Sequence, residues 1–524
     1  MFDPAAMSFP HLSVSTRPLL ILLALLLFAP AFAQKKDEGK KKKIEWSADN
    51  MEGDKKKGKD VKKLVGHVHF RHENVDMYCD SAYLFPNNSL EAYRNVRILQ
   101  GDTIQVYGDM LKYDGNTKIA ELQKNVSMSD REMNLKTEYL TYDLNSSVGS
   151  YHNGGTIISK DNTLKSEHGY YNSKAKEFSF KKNVVLVNPQ YTMKCDTLLY
   201  NTYSKVAYFL GPTTIVSNEN TIYCENGWYD TDRDVSQFNK NAVINTREQK
   251  LKGDSIYYNR KAGFGKAIKN VSVIDSAQNV TITGNYAEYY EKTENSLITG
   301  RALLTQVYDK DSLFLHADTL RATYETKDSA GKKLIDYDKR ILYAYHHVKF
   351  FKSDIQGKCD SLVYTYGDST MRLYRQPVLW SEKNQLTAEK VEIRTGSGEI
   401  RSLVLSNTAF IVSREDSVKF NQVKGKNMTA YFMKNKLYKI KVEGNGQAVY
   451  YPRDQGEIFS VNKTDCTDML IFFEENEVNR ITFITKPEGS IFPISEINPK
   501  EFLLKDMKDR FGERPMAKND VFSR

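Results

Sequence analysis

Acidic side chains recur along this chain at a fixed interval. Asp80, Asp109, Glu138, Glu167, Asp196, Glu225 and Asp254 each stand 29 residues from the next. Asp49 precedes the series, and Asn285, Asp318, Asp360, Glu389, Asn427 and Asp468 continue it at gaps from 29 to 42 residues. Carboxylates could do acid–base work, which needs a pair in unlike environments, or bind cations, which needs ligands converging on one point. Fourteen equivalent positions, some filled by Asn, suit neither. Their regularity points to architecture, with each carboxylate accepting backbone N–H groups freed at a corner of the chain.

Other reactive residues are sparse. His67 and His69 share one strand face, with His72 nearby, but a metal needs further ligands in place, so no metal site is expected. Of Cys79, Cys195, Cys224, Cys359 and Cys466, four directly precede a repeat carboxylate, where other units carry small residues. They read as buried fillers. A bridge between Cys195 and Cys224 is conceivable, although parallel side-chain vectors suit it poorly. No nucleophile–base pairing, phosphate loop or zinc motif occurs. No catalytic residue and no cofactor are expected.

The elements that carry these residues read as strands. Tyrosine is frequent at 33 residues, phenylalanine adds 25, and proline is scarce at 13, a balance that favours β-structure. In the unit at Asp109, Leu111 and Tyr113 alternate with polar neighbours, and Asp114-Gly115-Asn116 marks a turn. Ala120 and Leu122 then alternate, Lys124-Asn125 interrupts, and Val126 and Met128 resume. The apolar parity flips at the carboxylate: Val106 and Gly108 fall on one parity, Leu111 and Tyr113 on the other. One face cannot hold both sets without a bulge or corner, so the chain is expected to pass there from one sheet wall to another. The wide gap at 326–340 is expected to form an outer loop. Gly169 and Gly227 replace aliphatic residues, either opening space for a ligand or accommodating Tyr171 and Tyr229.

The start of the chain reads as an export signal. Arg17 precedes an apolar run at 19–28, and Ala31-Phe32-Ala33 offers a small-residue cleavage pattern before Gln34. The net charge of +9 gathers near the mature start, at Lys35, Lys36 and 40–43 and again at 55–63. Such an arm is solvated or meets anionic lipid or an acidic partner face. Nucleic acid is not expected as a partner.

The ordered recurrence resembles the OstA-like family that includes LptA and the LptD amino-terminal domain. Ser47-Ala48-Asp49-Asn50-Met51 precedes Leu64-Val65-Gly66-His67-Val68-His69-Phe70, as in the family's paired elements. Lys124-Asn125-Val126, Lys182-Asn183-Val184 and Lys269-Asn270-Val271 match the later one. The resemblance spans roughly 44–485. The chain departs from it in having about twice the units of a short periplasmic member and in ending without a long barrel domain.

The resemblance implies an all-β fold, an elongated twisted β-jellyroll of about fourteen stacked two-strand repeats at about 4.8 Å each. It implies a non-enzymatic periplasmic bridge or chaperone that carries lipopolysaccharide toward the outer membrane. Lipid A acyl chains would occupy a groove lined by Leu111, Tyr113, Leu140, Tyr142, Leu198, Tyr200, Ile256, Tyr258 and Leu362. Structural corner carboxylates would be Asp80, Asp109, Glu138, Glu167, Asp196, Glu225, Asp254 and Asp360. Partners would be other jellyroll transport proteins, stacked through edge strands, and an outer-membrane translocon. The expected division is a signal peptide at 1–33, a basic arm at 34–43, regular repeats at 44–270, repeats with insertions at 271–485, and a tail at 486–524. In that tail Glu501 to Lys508 reads as a short helix after Pro499, capping the open end of the stack or docking on a partner. The competing reading is an extracellular structural or adhesive β-solenoid with a closed core.

Overall fold

A computed structural model describes residues 43–523, apart from 102–103, 132, 248, 309–310, 330–331, 397–398, 435, 455 and 476. Residues 1–42, with the expected export signal and nearly all of the basic arm, lie outside the described residues. Contacts divide the chain into two compact units, one reaching Asn239 and one beginning at Lys240.

In the amino-terminal unit, Val75–Phe85, Ser89–Gln100, Ile104–Asp114, Ile119–Ser129 and Asn134–Asp143 pair antiparallel in chain order. Every pairing slips in the middle: between Tyr78 and Ser81, Tyr93 and Val96, Tyr107 and Met110, Gln123 and Val126. Each strand therefore bends and contributes to two walls. One wall holds 68–72, 75–79, 96–100 and 104–108; the other holds 62–65, 81–85, 89–93 and 110–114. Each 29-residue repeat supplies two bent strands and so advances about 9.6 Å, twice the expected step.

The bend has a local cause. Arg94-Asn95, Lys124-Asn125, Lys182-Asn183 and Lys269-Asn270 each place two consecutive residues at positive φ, such as 64° and 51° at Lys124 and Asn125. Asparagine tolerates this left-handed region better than most residues. Where the motif lacks Asn, Gly211 adopts φ +80°, and a Cβ there would stand 2.8 Å from Asp196 Cβ.

Alternation buries one face of each wall. Leu64, Phe70, Val106, Leu122, Met128 and Tyr142 are wholly excluded from solvent. The long strands break at the start of this unit, into Glu45–Ser47 and Asn50–Gly53, and again at Val148–Tyr151, Gly155–Ser159, Asn162–Ser166 and His168–Asn172. Gly169 and Gly227 make room for neither a ligand nor Tyr171 and Tyr229. A Cβ at Gly169 would lie 2.2 Å from the Tyr151 ring, and one at Gly227 would lie 2.4 Å from the Phe209 ring. Aromatic rings from adjacent strands fill both spaces.

In the carboxy-terminal unit the insertion at 326–340 is no loop. Ser312–Ser329 and Lys332–Phe351 stay paired out to Ser329 opposite Lys332. Alternating residues such as Thr326, Lys327, Leu334 and Ile335 extend the hairpin instead, because they suit a strand as well as the repeat proper.

The short helix expected over Glu501 to Lys508 does not form as one element. After Glu488–Pro493 the chain makes 3-10 turns at Ile494–Glu496, Pro499–Phe502, Phe511–Glu513 and Lys518–Phe522. Asn498 caps the second through its side chain, which accepts from Lys500 N. The tail lies across the outer face of a wall. Phe410, Val412, Phe420, Val449, Tyr451 and Val461 form a cluster there with Leu504. The extended strap presents Phe502, Leu504, Met507 and Phe511 to that flat apolar strip in turn.

Candidate functional site

The repeat carboxylates sit at the corners, facing outward, and mostly pair with the residues that make the bend. Asn95 Nδ2 donates to Asp80 at 2.9 Å, Asn125 to Asp109 at 2.7 Å, and Asn183 to Glu167 at 2.6 Å. Asn270 donates to both oxygens of Asp254 at 3.1 and 3.2 Å. The expected backbone donor occurs at Asp468, from Gly444 N at 2.9 Å. At Asp80, Asp109, Glu167 and Asp254 the side-chain amide of the left-handed Asn takes that place.

Asp196 accepts from the Thr197 hydroxyl. At Asp360, Ser361 donates at 2.7 Å and His346 lies at 3.3 Å. The Ser361 hydroxyl leads in holding the Asp360 carboxyl below its ordinary value, and the charges of His346 and Arg375 add to it. Glu225 also has a partner. Glu138 and Glu167 border a shallow outer depression with Lys136 and Lys165.

The histidines disperse. His67 Nδ1 lies 2.7 Å from Asp49, His69 Nε2 lies 2.8 Å from Asp76, and His72 turns inward. Among the described residues no group of three or more His, Cys, Asp or Glu is placed to hold a metal. The five cysteines are free and buried. Burial pushes the thiols of Cys79, Cys195, Cys224 and Cys359 up to about 12. Cys195 and Cys224 stand on strands separated by Val206–Ser217 and are not bridged.

The inward faces carry the aliphatic–aromatic rows. In the amino-terminal unit Leu111, Tyr113, Leu140, Tyr142 and Leu198 are buried, and Tyr200 is half-buried. In the carboxy-terminal unit Ile256 and Leu362 are buried, and Tyr258 is half-buried.

Sequence reasoning missed what the tyrosines do at the mouth between the walls. Tyr113, on the second wall, lies with its phenol oxygen 2.6 Å from His72 Nδ1 on the first. Tyr142 donates to Gln100 Oε1 at 2.5 Å, and Tyr171 donates to Asp130 Oδ2 at 2.7 Å. Lys118 and Glu73 form an ion pair across the same gap at 2.7 Å. The tyrosine spacing was visible in the sequence. The partners were not, because they lie 41 or 42 residues upstream and are His, Gln and Asp in turn.

The mouth is not uniform. Phe70, Ile98, Val106, Met128 and Leu135, on the first wall, are all at most 3% exposed. Leu186, Ile215 and Ile222 occupy corresponding inward positions farther along the same unit and are only half-buried. An apolar surface facing an opposite wall, yet partly wet, can take up a narrow apolar chain.

Comparison with known families places these features in context. An OstA-like protein family matches residues 40–196 and 194–254. The LptA/LptD amino-terminal domain family of lipopolysaccharide (LPS) transport proteins matches residues 281–399. No curated protein matches the chain.

Proposed function

The chain belongs to the OstA-like and LptA/LptD amino-terminal family of LPS transport proteins and has a role in that transport; from that premise we propose that it is a non-enzymatic, periplasmic lipid-binding bridge or chaperone. It carries lipopolysaccharide toward the outer membrane by sheltering the lipid A acyl chains between its walls. Leu111, Tyr113, Leu140, Tyr142, Leu198 and Tyr200 line that path in the amino-terminal unit. Ile256, Tyr258 and Leu362 line an equivalent path within the carboxy-terminal unit. The observation that carries the reading is the partial exposure of Leu186, Ile215 and Ile222 on an inward face.

The energetics suit a carrier. Each methylene sheltered from water contributes about 0.8 kcal/mol, enough for a chain of a dozen carbons to stay bound. Equivalent rungs at a 29-residue repeat offer near-equal sites, so movement between neighbours within a unit meets a low barrier.

Free sheet edges support stacking on other jellyroll proteins and on an outer-membrane translocon. Glu45–Ser47 and Asn50–Gly53 each pair only with Lys62–His72 among the described residues. Among the described residues, Glu477–Ile484 and Glu488–Pro493 likewise pair only with Ser460–Glu474. Such edges invite strand addition.

The near-complete burial from Leu64 to Tyr142 favours the closed-core alternative over that stretch. A core closed throughout leaves the partial exposure of Leu186, Ile215 and Ile222 without a purpose. The test is a photo-crosslinking residue at Leu198 or Ile256 in cells. A lipopolysaccharide adduct is expected. Its repeated absence, with crosslinking elsewhere in the pathway working, rejects the carrier.

A further inference from the structure

Three tyrosines at a 29-residue spacing, Tyr113, Tyr142 and Tyr171, each reach from the second wall of the amino-terminal unit to a polar group on the first. Their partners are chemically unrelated, yet the bond recurs at the same place in three successive repeats. Where the bonds occur, the inward residues beside the mouth are dry. Past Tyr171 three of the next four mouth residues, Leu186, Ile215 and Ile222, are partly exposed, with Met193 between them still buried, and the next tyrosine in the row, Tyr200, is itself half-buried. Closure follows the bonds.

A purely structural core would not need this arrangement. Phenylalanine fills the same volume and leaves no polar group to satisfy, whereas a phenol that bonds across a gap is cheap to detach because water replaces its partner. Leucine or phenylalanine at both lips would close the mouth permanently. Hydrogen bonds at the lips close it reversibly.

The geometry points to Tyr113, Tyr142 and Tyr171 as a gate: phenol latches that hold the mouth of the amino-terminal unit shut and, on release, admit an apolar chain to its interior. The chain is admitted from the half-open stretch at 186–222, and the latches open in sequence from Tyr171 toward Tyr113. The identity of that chain as an acyl tail rests on the carrier reading above; the latching itself does not.

The test separates the two. A thiol reporter is placed between the walls as Met128→Cys, with Val106→Cys as a second site, and its rate of maleimide labelling is corrected for that of the five native thiols. Y113F, Y142F and Y171F keep the rings and remove only the hydroxyls. One neutral hydrogen bond lost shifts opening by about fivefold, and three, one of them to the Asp130 carboxylate, shift it by about a hundredfold or more if they act independently. Labelling, measured well below the thermal transition, is therefore expected to rise about fivefold in Y142F and more steeply in the triple variant, while each lost bond lowers that transition by only a few degrees. Unchanged labelling at both reporter sites overturns the gate, as does labelling that rises only in step with global unfolding. In a parallel arm, loading of a pyrene-labelled sixteen-carbon fatty acid is expected to quicken in the triple variant. Faster labelling without faster loading leaves the latches standing and overturns the acyl-chain reading.

Discussion

Gln422 holds the tail at both ends of its amide: Leu504 N donates to its Oε1 at 2.8 Å, and its Nε2 donates to the Phe502 carbonyl at 3.1 Å. Gln385 repeats the contact farther along, accepting from Arg510 N at 2.7 Å and donating to Lys508 O at 2.8 Å. Arg514 Nε then meets Gln356 Oε1 at 2.8 Å. All three glutamines are buried. Gln422 and Gln385 each mimic a strand neighbour for a strap that crosses the strands instead of joining them.

Removing either clamp leaves buried backbone groups of the strap without partners. Q422A and Q385A are each expected to cost about 1–3 kcal/mol in denaturant unfolding of the carboxy-terminal unit. Limited proteolysis should then cut first after 494. Truncation before Ile494 exposes Phe410, Val412, Phe420 and Tyr451, so dye binding to apolar surface should rise and the protein should self-associate. Intact stability in both glutamine variants would show that side-chain packing alone holds the strap.

Acid should loosen the same strap. The Arg510 hydrogen bond leads in holding Glu513 down at about 2, with Lys358 also contributing, against an ordinary value of 4.5. A depressed carboxyl stabilises the fold fully above its unfolded value and loses that contribution as pH falls through its folded one. Tail docking, followed by protease sensitivity, should therefore weaken between about pH 4.5 and 2. In E513Q that part of the pH dependence should disappear. A wild-type profile flat through this window would argue against the pair.

The corner amides can be tested by geometry. Asn125 combines φ 51° with a bond to Asp109. N125A loses the bond and strains the backbone, and is expected to cost about 2 kcal/mol. N125G loses the bond but relaxes the backbone, so it should cost about 1 kcal/mol less. Equal losses in chemical denaturation would mean that the left-handed bend carries no strain.

Wall facing sets the response to a buried charge. Leu198 is 3% exposed, while neighbouring Thr197 is half-buried and turned outward, donating to Asp196. L198D should cost roughly 3–5 kcal/mol or prevent folding, whereas T197D should cost under about 1 kcal/mol. Similar melting shifts in the two would contradict the facing.

Much of this fold was legible because a period of two within a strand and of 29 between repeats are both written in residue type. Leu111 and Tyr113, or Ile256 and Tyr258, announce an inward face wherever they recur. The corner could be located from the parity flip at Asp109. Its chemistry could not, since nothing in Lys124-Asn125 states that both residues take positive φ. The latches escaped because a hydrogen bond between Tyr142 and Gln100 depends on how far two walls splay, which no local pattern encodes. The strap escaped for a different reason: Glu501 to Lys508 has the composition of a helix, and only the flat apolar face formed by distant Phe410, Phe420 and Val449 draws it out. Glutamines 356, 385 and 422 belong to different repeats and carry no shared motif, so their joint role emerges only when the tail lies across them.

Ile215 and Val216 are adjacent, the first facing the opposite wall and the second turned to solvent. Purified protein carrying a benzophenone side chain at one or the other position, mixed with lipopolysaccharide and irradiated, compares the two faces of one strand directly. Adducts at position 215 and almost none at 216 are the expected result. Equal yields at both, or adducts confined to 216, would mean that the lipid does not lie between the walls.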